Sequence, residues 1–383
     1  MIHAPIVALS DEFAAFEETP AAVAGPVSPL APATDPLTRY ARCKKLRSTL
    51  YGETALYQDE ALNRKLIVLK RLSISLLQKE DNSSTVRENP LSEHAVIQLL
   101  EDPLVARAPG RKHVVEYERE GFFTTGDSVF VAMEFCAGGD LYDYVTVKPN
   151  RRLPEMEALT LFAQIAKGLS FLHTHGVAHR DLSLENVLLK DGKVKICDFG
   201  LSADANKLST DVVGKFYYMA PEVTQGALYD PKKADVWSLG VLLFILLTGS
   251  PLFADDGPRA PTLRVLNKYG VGKILELWGL KSQFSRSTIN LLACMLQVQP
   301  THRLSIEQVV NDPRTSSREA YTDNCIPPGQ EFYGADQDAE GTTRGQVDGT
   351  LVLDLCNWDT HALATLVLAI VAEEVVSSFL SAS

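Results

Sequence analysis

The stretch from His179 to Gly200 reads H-R-D-L-S-L-E-N-V-L-L-K-D-G-K-V-K-I-C-D-F-G. It sets out an aspartate, Asp181, an asparagine five positions on, Asn186, and a second aspartate, Asp198, that opens D-F-G. Two apolar runs, Val187–Leu189 and Val194–Cys197, flank Asp191-Gly192, which is the pattern of a strand, a tight turn and a second strand. Three oxygen-bearing side chains at this spacing can hold a hydroxyl and one or two hard divalent cations around a phosphate. Taken singly, each also has an ordinary reading: Asp181 as a turn residue, Asn186 as a cap, Asp198 as a surface charge. The order of the segments around the stretch decides between the two.

The chain has 383 residues, 45% hydrophobic and 22% charged, as expected of a soluble globular protein with one large or two ordinary domains. Its net charge of −11 argues against nucleic-acid binding, which needs a basic patch, and suits partners that carry basic side chains. The cysteines (43, 136, 197, 294, 325 and 356) are scattered, with no C-x-x-C pair. Neither a zinc site nor a disulfide framework is suggested, so a reducing, cytoplasmic setting is expected, with nuclear access open. Met1–Pro5 has no basic region and is followed by Asp11-Glu12, unlike a secretory signal.

Residues 1–38, rich in Ala and Pro, read as a flexible tail. Leu46–Tyr57 is expected to hold a strand, a turn and a second strand, with Gly52 in the turn. Ile67–Lys70 is a strand ending in lysine, and Pro90–Leu100 is an amphipathic helix with Glu93 near its start. Glu88 precedes Pro90 and falls before that helix, at the end of a polar loop, Lys79–Glu88. Val114–Phe123 and Val129–Phe135 form two strands turned at Thr124–Asp127. Leu153-Pro154-Glu155 opens a long helix that Gly176 stops, and Val241–Leu247 belongs to a buried one. Residues 315–349 read as a linker, followed by an apolar segment at 350–383. Its run Ala362–Ala372 is far short of the roughly 20 apolar residues of a membrane span, so a helix docked on the rest of the chain or on a partner is expected instead.

With the H-R-D…N and D-F-G elements stand Ile67-Val68-Leu69-Lys70, Ala220-Pro221-Glu222, Asp235-Val236-Trp237-Ser238-Leu239-Gly240 and His302-Arg303-Leu304. In this order they resemble the eukaryotic protein kinases of serine/threonine type, most closely the calcium/calmodulin-dependent-kinase-like group, from about Tyr40 to Asn311. The resemblance implies an α+β bilobal fold: a kinase domain at 39–314 with a small β-rich lobe (39–133) and a larger, mostly helical lobe (134–314). It implies ATP and magnesium as cofactors and protein Ser or Thr hydroxyls as acceptors. By the same resemblance Asp181 would accept the hydroxyl proton, Asn186 and Asp198 would hold magnesium, and Lys70 would cradle phosphates with Glu93 as its partner. Glu134 and Cys136 would offer backbone groups to adenine, Asp140 would lie near the ribose, and Leu188 would complete the nucleotide site. Arg180 would sense a phosphate on Ser209 or Thr210. Glu222 and Arg303 would form a buried ion pair, and Asp235 would be structural. Glu185 and Asp140 would favour Arg or Lys upstream of the acceptor.

Three departures stand out. Where the family carries G-x-G-x-x-G, only Gly52 remains in Leu50–Ala55. Ser183 stands two residues after the catalytic aspartate, where serine/threonine members usually carry lysine, and Lys215 stands where they usually carry threonine. An exchange of the two, with Lys215 providing the ammonium, is one expectation; a solvated loop lysine is the other. The alternative to an active kinase is a nucleotide-binding scaffold of pseudokinase type.

Overall fold

The structure, a computed structural model, describes residues 35–78, 88–253 and 261–316. Residues 1–34 of the expected tail, 317–349 of the expected linker, the apolar segment with Ala362–Ala372 and most of the loop before Glu88 lie outside the described residues, while Pro36–Arg39, at the end of the expected tail, forms a short 3-10 helix. The chain divides into two compact units. The first combines the described residues up to Ala106 with Val115–Phe135 and Asp198–Asp204, and the second contains the other described residues.

The first unit is an antiparallel sheet of β1 (Tyr40–Ser48), β2 (Gly52–Asp59), β3 (Lys65–Ser73), β4 (Tyr117–Thr125) and β5 (Ser128–Glu134), in the order β1-β2-β3-β5-β4. β5 is buried at every position, as a strand hydrogen-bonded on both sides and covered on its faces should be. Tyr40, Ala55, Tyr57, Ile67, Leu69, Phe130 and Ala132 pack into one cluster. Phe123 stacks between Tyr40 and Phe130, with centroids 5.9 and 5.2 Å away. A short helix α1 (Ile74–Gln78) follows β3, and α2 (Pro90–Glu101) is the amphipathic helix. The Asn89 side chain caps α2 by accepting from Leu91 N (3.0 Å), and Pro90 sits at the first turn, where it costs no hydrogen bond. α2 buries Glu93, Val96, Ile97 and Leu100; each of its three aliphatics contributes about 1.5–3 kcal/mol on full burial.

The first strand corrects the sequence reading. It begins at Tyr40, not Leu46, and all of it beyond Tyr40 is exposed. Register shifts between Arg42 and Lys44 and between Lys45 and Arg47 break its alternation, and charged residues line this sheet edge. Gly52 is the first residue of β2: its carbonyl accepts from Thr49 N (3.0 Å) to close the turn, it lies opposite Leu72 of β3, and a Cβ there would collide with the Arg71 carbonyl oxygen. Close strand approach therefore accounts for this glycine.

The second unit is mostly helical: α3 (Leu141–Thr146), α4 (Glu155–Thr174), α5 (Pro221–Thr224), α6 (Pro231–Thr248), α7 (Pro261–Tyr269), α8 (Val271–Leu277), α9 (Arg286–Met295), α10 (Ile306–Val310) and α11 (Pro313–Ser316). α6 is the central helix. Asp230 caps its start, Gly249 ends it at φ 76°, and nearly every residue from Ala234 to Thr248 is buried. Besides β6 (Val177–Ala178), a hairpin of β7 (Val187–Lys190) and β8 (Lys193–Ile196) carries the decisive sequence stretch. Its two-residue turn, Asp191-Gly192, has φ 49° and 71°, the left-handed pair such a turn requires. The architecture is α+β, one unit built on a sheet and the other on helices.

Candidate active site

The first unit gathers a charge cluster at the end of the Lys70 side chain. Its ammonium is 3.0 Å from Glu93 Oε2 and 2.8 Å from Asp198 Oδ1, and it is also ion-paired to Glu88. β3 delivers the lysine and the first turn of α2 delivers Glu93, which also accepts from the Tyr117 hydroxyl (2.8 Å). Lys70 and Glu93 are both buried. Burial alone would lower the Lys70 pKa, but Asp198, Glu93 and Glu88 together hold it well above the usual lysine value. Glu88 is the weak member of this cluster. Burial pushes its carboxyl up to about 7, Lys70 opposes that rise and Asp198 adds to it. It packs directly on Gly200, where any side chain would collide with it, and Asn89 N donates to Gly200 O (2.8 Å). Glu93 and Glu88 thus both reach Lys70, one from inside the helix and one from the residue before its cap.

The second unit holds Asp181. Its Oδ1 accepts from Lys215 N (3.0 Å) and its Oδ2 from Asn186 Nδ2 (2.8 Å); Nδ2 also donates to Asp181 O (2.8 Å). These bonds turn the Asn186 amide so that its remaining polar atom is the carbonyl oxygen, a hard ligand suited to magnesium. Lys215 Nζ donates to Ser183 Oγ (2.8 Å) and lies 3.2 Å from Glu185 Oε2. The two positions at which the chain departs from expectation are therefore in direct contact.

Beneath Asp181, Asp235 of α6 fixes the loop. Its Oδ2 accepts from His179 N and faces His173 Nε2, and its Oδ1 accepts from Arg180 N, all at 2.8 Å. Burial would raise this carboxyl; the hydrogen bond and charge of His173, with His179 and the Arg180 N–H, hold it below the usual carboxylate range. The clamp has strain to restrain, because Arg180 is left-handed at φ 65°. The Arg180 guanidinium donates to Asp211 Oδ2 (2.7 Å) and Ser209 Oγ (3.3 Å), while Thr210 is exposed. Glu222 and Arg303 form a bidentate pair (2.6 and 3.1 Å) around an arginine that is 2% exposed and lies over the Trp237 ring.

Residues 57–314 match the protein kinase domain family. The chain belongs to the protein kinase family. Among curated relatives it is 34% identical to a probable serine/threonine-protein kinase of Dictyostelium discoideum over 63% of this chain and 27% of that one. It is 32% identical to the carbon catabolite-derepressing protein kinase of Candida albicans over 75% and 43% of the two chains. It is 36% identical to the maternal embryonic leucine zipper kinase of Xenopus tropicalis over 52% and 29%. The chain therefore spans between about a quarter and under half of the length of these relatives.

Within this kinase domain the residues expected at the adenine end have local structural roles as well. Glu134 Oε1 accepts from Glu116 N (2.9 Å), Cys136 is buried, and Asp140 caps α3 through Asp143 N (2.8 Å) while bridging Leu188. Glu185, expected to face a basic residue of the substrate, is paired with Lys215. Three partners escaped the sequence reading: Asp211 on Arg180, His173 on Asp235 and Tyr117 on Glu93. Each joins segments far apart in sequence without any spacing rule. Among the described residues no helix is long and apolar enough to cross a membrane.

Proposed function

We propose that this chain is an ATP-dependent protein serine/threonine kinase that uses magnesium. The observation that carries the reading is the Asp181 carboxylate, fixed at one oxygen by a main-chain N–H and at the other by the Asn186 amide. A carboxylate held in this way is aimed to orient a hydroxyl and take its proton, which is most of what phosphoryl transfer asks of a protein besides charge neutralisation. Asn186 and Asp198 offer the oxygen ligands for magnesium, which when bound neutralises phosphate charge. Lys70, its side chain held by Glu93, is the phosphate-pairing cation of the first unit. Arg180 acts in regulation, with Ser209 as the hydroxyl within its reach. The serine/threonine assignment draws further support from the name of the Dictyostelium discoideum relative, a probable serine/threonine-protein kinase.

The test is phosphate incorporation from labelled Mg-ATP by the purified full chain, beside Asp181→Asn. Incorporation by wild type that disappears in the variant is the expected result. If wild type incorporates no phosphate and its melting temperature does not respond to Mg-ATP, the chain is a binding module and the reading is lost.

A further inference from the structure

We propose that Lys215 supplies the positive charge that meets the transferring phosphoryl group, and that Glu185 is the carboxylate that positions it; the proposal rests on the kinase reading above. The geometry behind it is the double engagement of Lys215. Its main-chain N–H donates to Asp181 Oδ1 (3.0 Å), and its ammonium donates to Ser183 Oγ (2.8 Å) and sits 3.2 Å from Glu185 Oε2. One residue thus orients the proton acceptor through its backbone and carries a cation on the same wall of the site.

Chemistry gives that cation work to do. The acceptor hydroxyl must lie within about 3 Å of Asp181 to pass it a proton, so the phosphorus it attacks is held beside the same carboxylate. In the transfer, an oxygen–phosphorus bond forms to the hydroxyl and the bond from the γ-phosphorus to the bridging oxygen breaks. The electron pair of that bond leaves on ADP, and the hydroxyl proton goes to Asp181. Charge develops on the oxygens of the moving group, and a fixed ammonium beside them favours the transition state without changing its own protonation. Arg180, the other cation bonded into this loop, is directed elsewhere: its N–H is on Asp235 and its guanidinium on Asp211 and Ser209.

The surroundings of Lys215 suit a positioned charge better than a loose surface lysine. Ser183 is fully buried, so its hydroxyl oxygen fixes the direction of the ammonium, and Glu185 balances the charge until phosphate arrives. Ser183 itself cannot carry the charge. The second unit therefore provides, from the segment after Gly214, the cation that its catalytic loop lacks.

The experiment measures kcat and KM for the full chain with Mg-ATP and a Ser peptide selected from a degenerate library. Lys215→Gln keeps a hydrogen-bonding group for Ser183 but removes the charge, and Lys215→Ala removes both. Each is expected to lower kcat by ~10²-fold or more with KM for ATP and the melting temperature held. The exchanged double variant, Ser183→Lys with Lys215→Thr, is expected to recover at least about 10-fold of that loss, a rescue that a merely structural role does not produce. Glu185→Gln is expected to lower kcat at constant peptide KM; a raised peptide KM at constant kcat makes Glu185 a substrate-recognition residue and removes it from the proposal. If Lys215→Gln turns over within about two-fold of wild type while Asp181→Asn is dead, Lys215 is not the phosphate-facing cation. If Lys215→Ala melts early, Lys215→Gln and the exchanged variant decide. If wild type transfers no phosphate, the kinase reading falls and this proposal with it.

Discussion

Around Lys70, one ammonium faces three carboxylates, from Glu88, Glu93 and Asp198. Around Asp235, one carboxylate faces nitrogen groups at 2.8 Å from His173, His179 and Arg180. Each centre is built on a buried charged group, Lys70 in one and Asp235 in the other, yet their balance is opposite. In the first unit the negative charge exceeds the positive, so the least favourable carboxyl, that of Glu88, is pushed up to about 7. In the second, two directed main-chain N–H groups and an imidazole satisfy one carboxylate, and its pKa falls despite complete burial. A cluster of charges retains a titratable member, whereas a charge held by oriented dipoles does not.

The largest effect expected in the molecule lies in the second unit. Asp181→Asn keeps the shape of the side chain but presents an amide where Lys215 N and Asn186 Nδ2 both donate. Phosphate transfer should fall by roughly 10³-fold or more, with little change in melting temperature. In contrast, Glu93→Gln should weaken nucleotide-dependent activity through Lys70 but leave the Asp181 centre intact, a difference visible as a change in KM for ATP. Equal effects of both variants on kcat alone would erase the distinction between the two centres.

The same acid-to-amide change should have opposite consequences for stability in the two centres. Asp235→Asn removes an acceptor oxygen and turns an NH2 group toward donors that are buried, which costs about 2–4 kcal/mol. Glu88→Gln removes a carboxylate from a cluster with too many and should leave stability at pH 8 unchanged or improved. Chemical denaturation of both variants at that pH checks the pair; destabilisation by Glu88→Gln comparable to that of Asp235→Asn would refute the charge-excess account.

Much of this contrast was legible in the sequence on one side only. The spacing from Asp181 to Asn186 to Asp198 runs along a single loop and hairpin, and Asp191-Gly192 states its own turn geometry. The interior position of α6 follows from its apolar run on all faces. The start of strand β1 is not marked in the sequence, because its bulges shift the side-chain alternation that marks a strand. The approach of Glu88 to Lys70 was not legible either, since nothing in its sequence position says that the residue before a capped helix turns inward to pack on Gly200. Asp211 joined Arg180 for a similar reason: it is one acid in a polar loop until the fold brings it to the guanidinium. Local periodicities are written in the chain, and partners made by the fold are not.

The smallest effects expected are two opposed pH limbs. Glu88 has a folded-state pKa of about 7, above its ordinary 4.5, so the stability it confers is complete below 4.5 and is lost as pH rises through 7. His113, in the second unit, runs the other way. Burial lowers its pKa from 6.5 to about 4 against a weak bond to Val194 O (3.4 Å), with Lys112, Lys167 and Lys195 also opposing its charge. Its stability is complete above 6.5 and is lost as pH falls through 4. Each limb has a limiting slope of about 1.4 kcal/mol per pH unit. Denaturation without divalent cations from pH 4 to 8 should therefore flatten between about pH 5 and 7 in Glu88→Gln and on the acid side of about pH 6 in His113→Phe. Each variant should leave the other limb in place, because the two groups belong to different units and respond to different neighbours. Loss of both limbs in either variant would mean that the two titrations are one coupled event, and the contrast between a charge-rich and a dipole-satisfied unit would have to be abandoned.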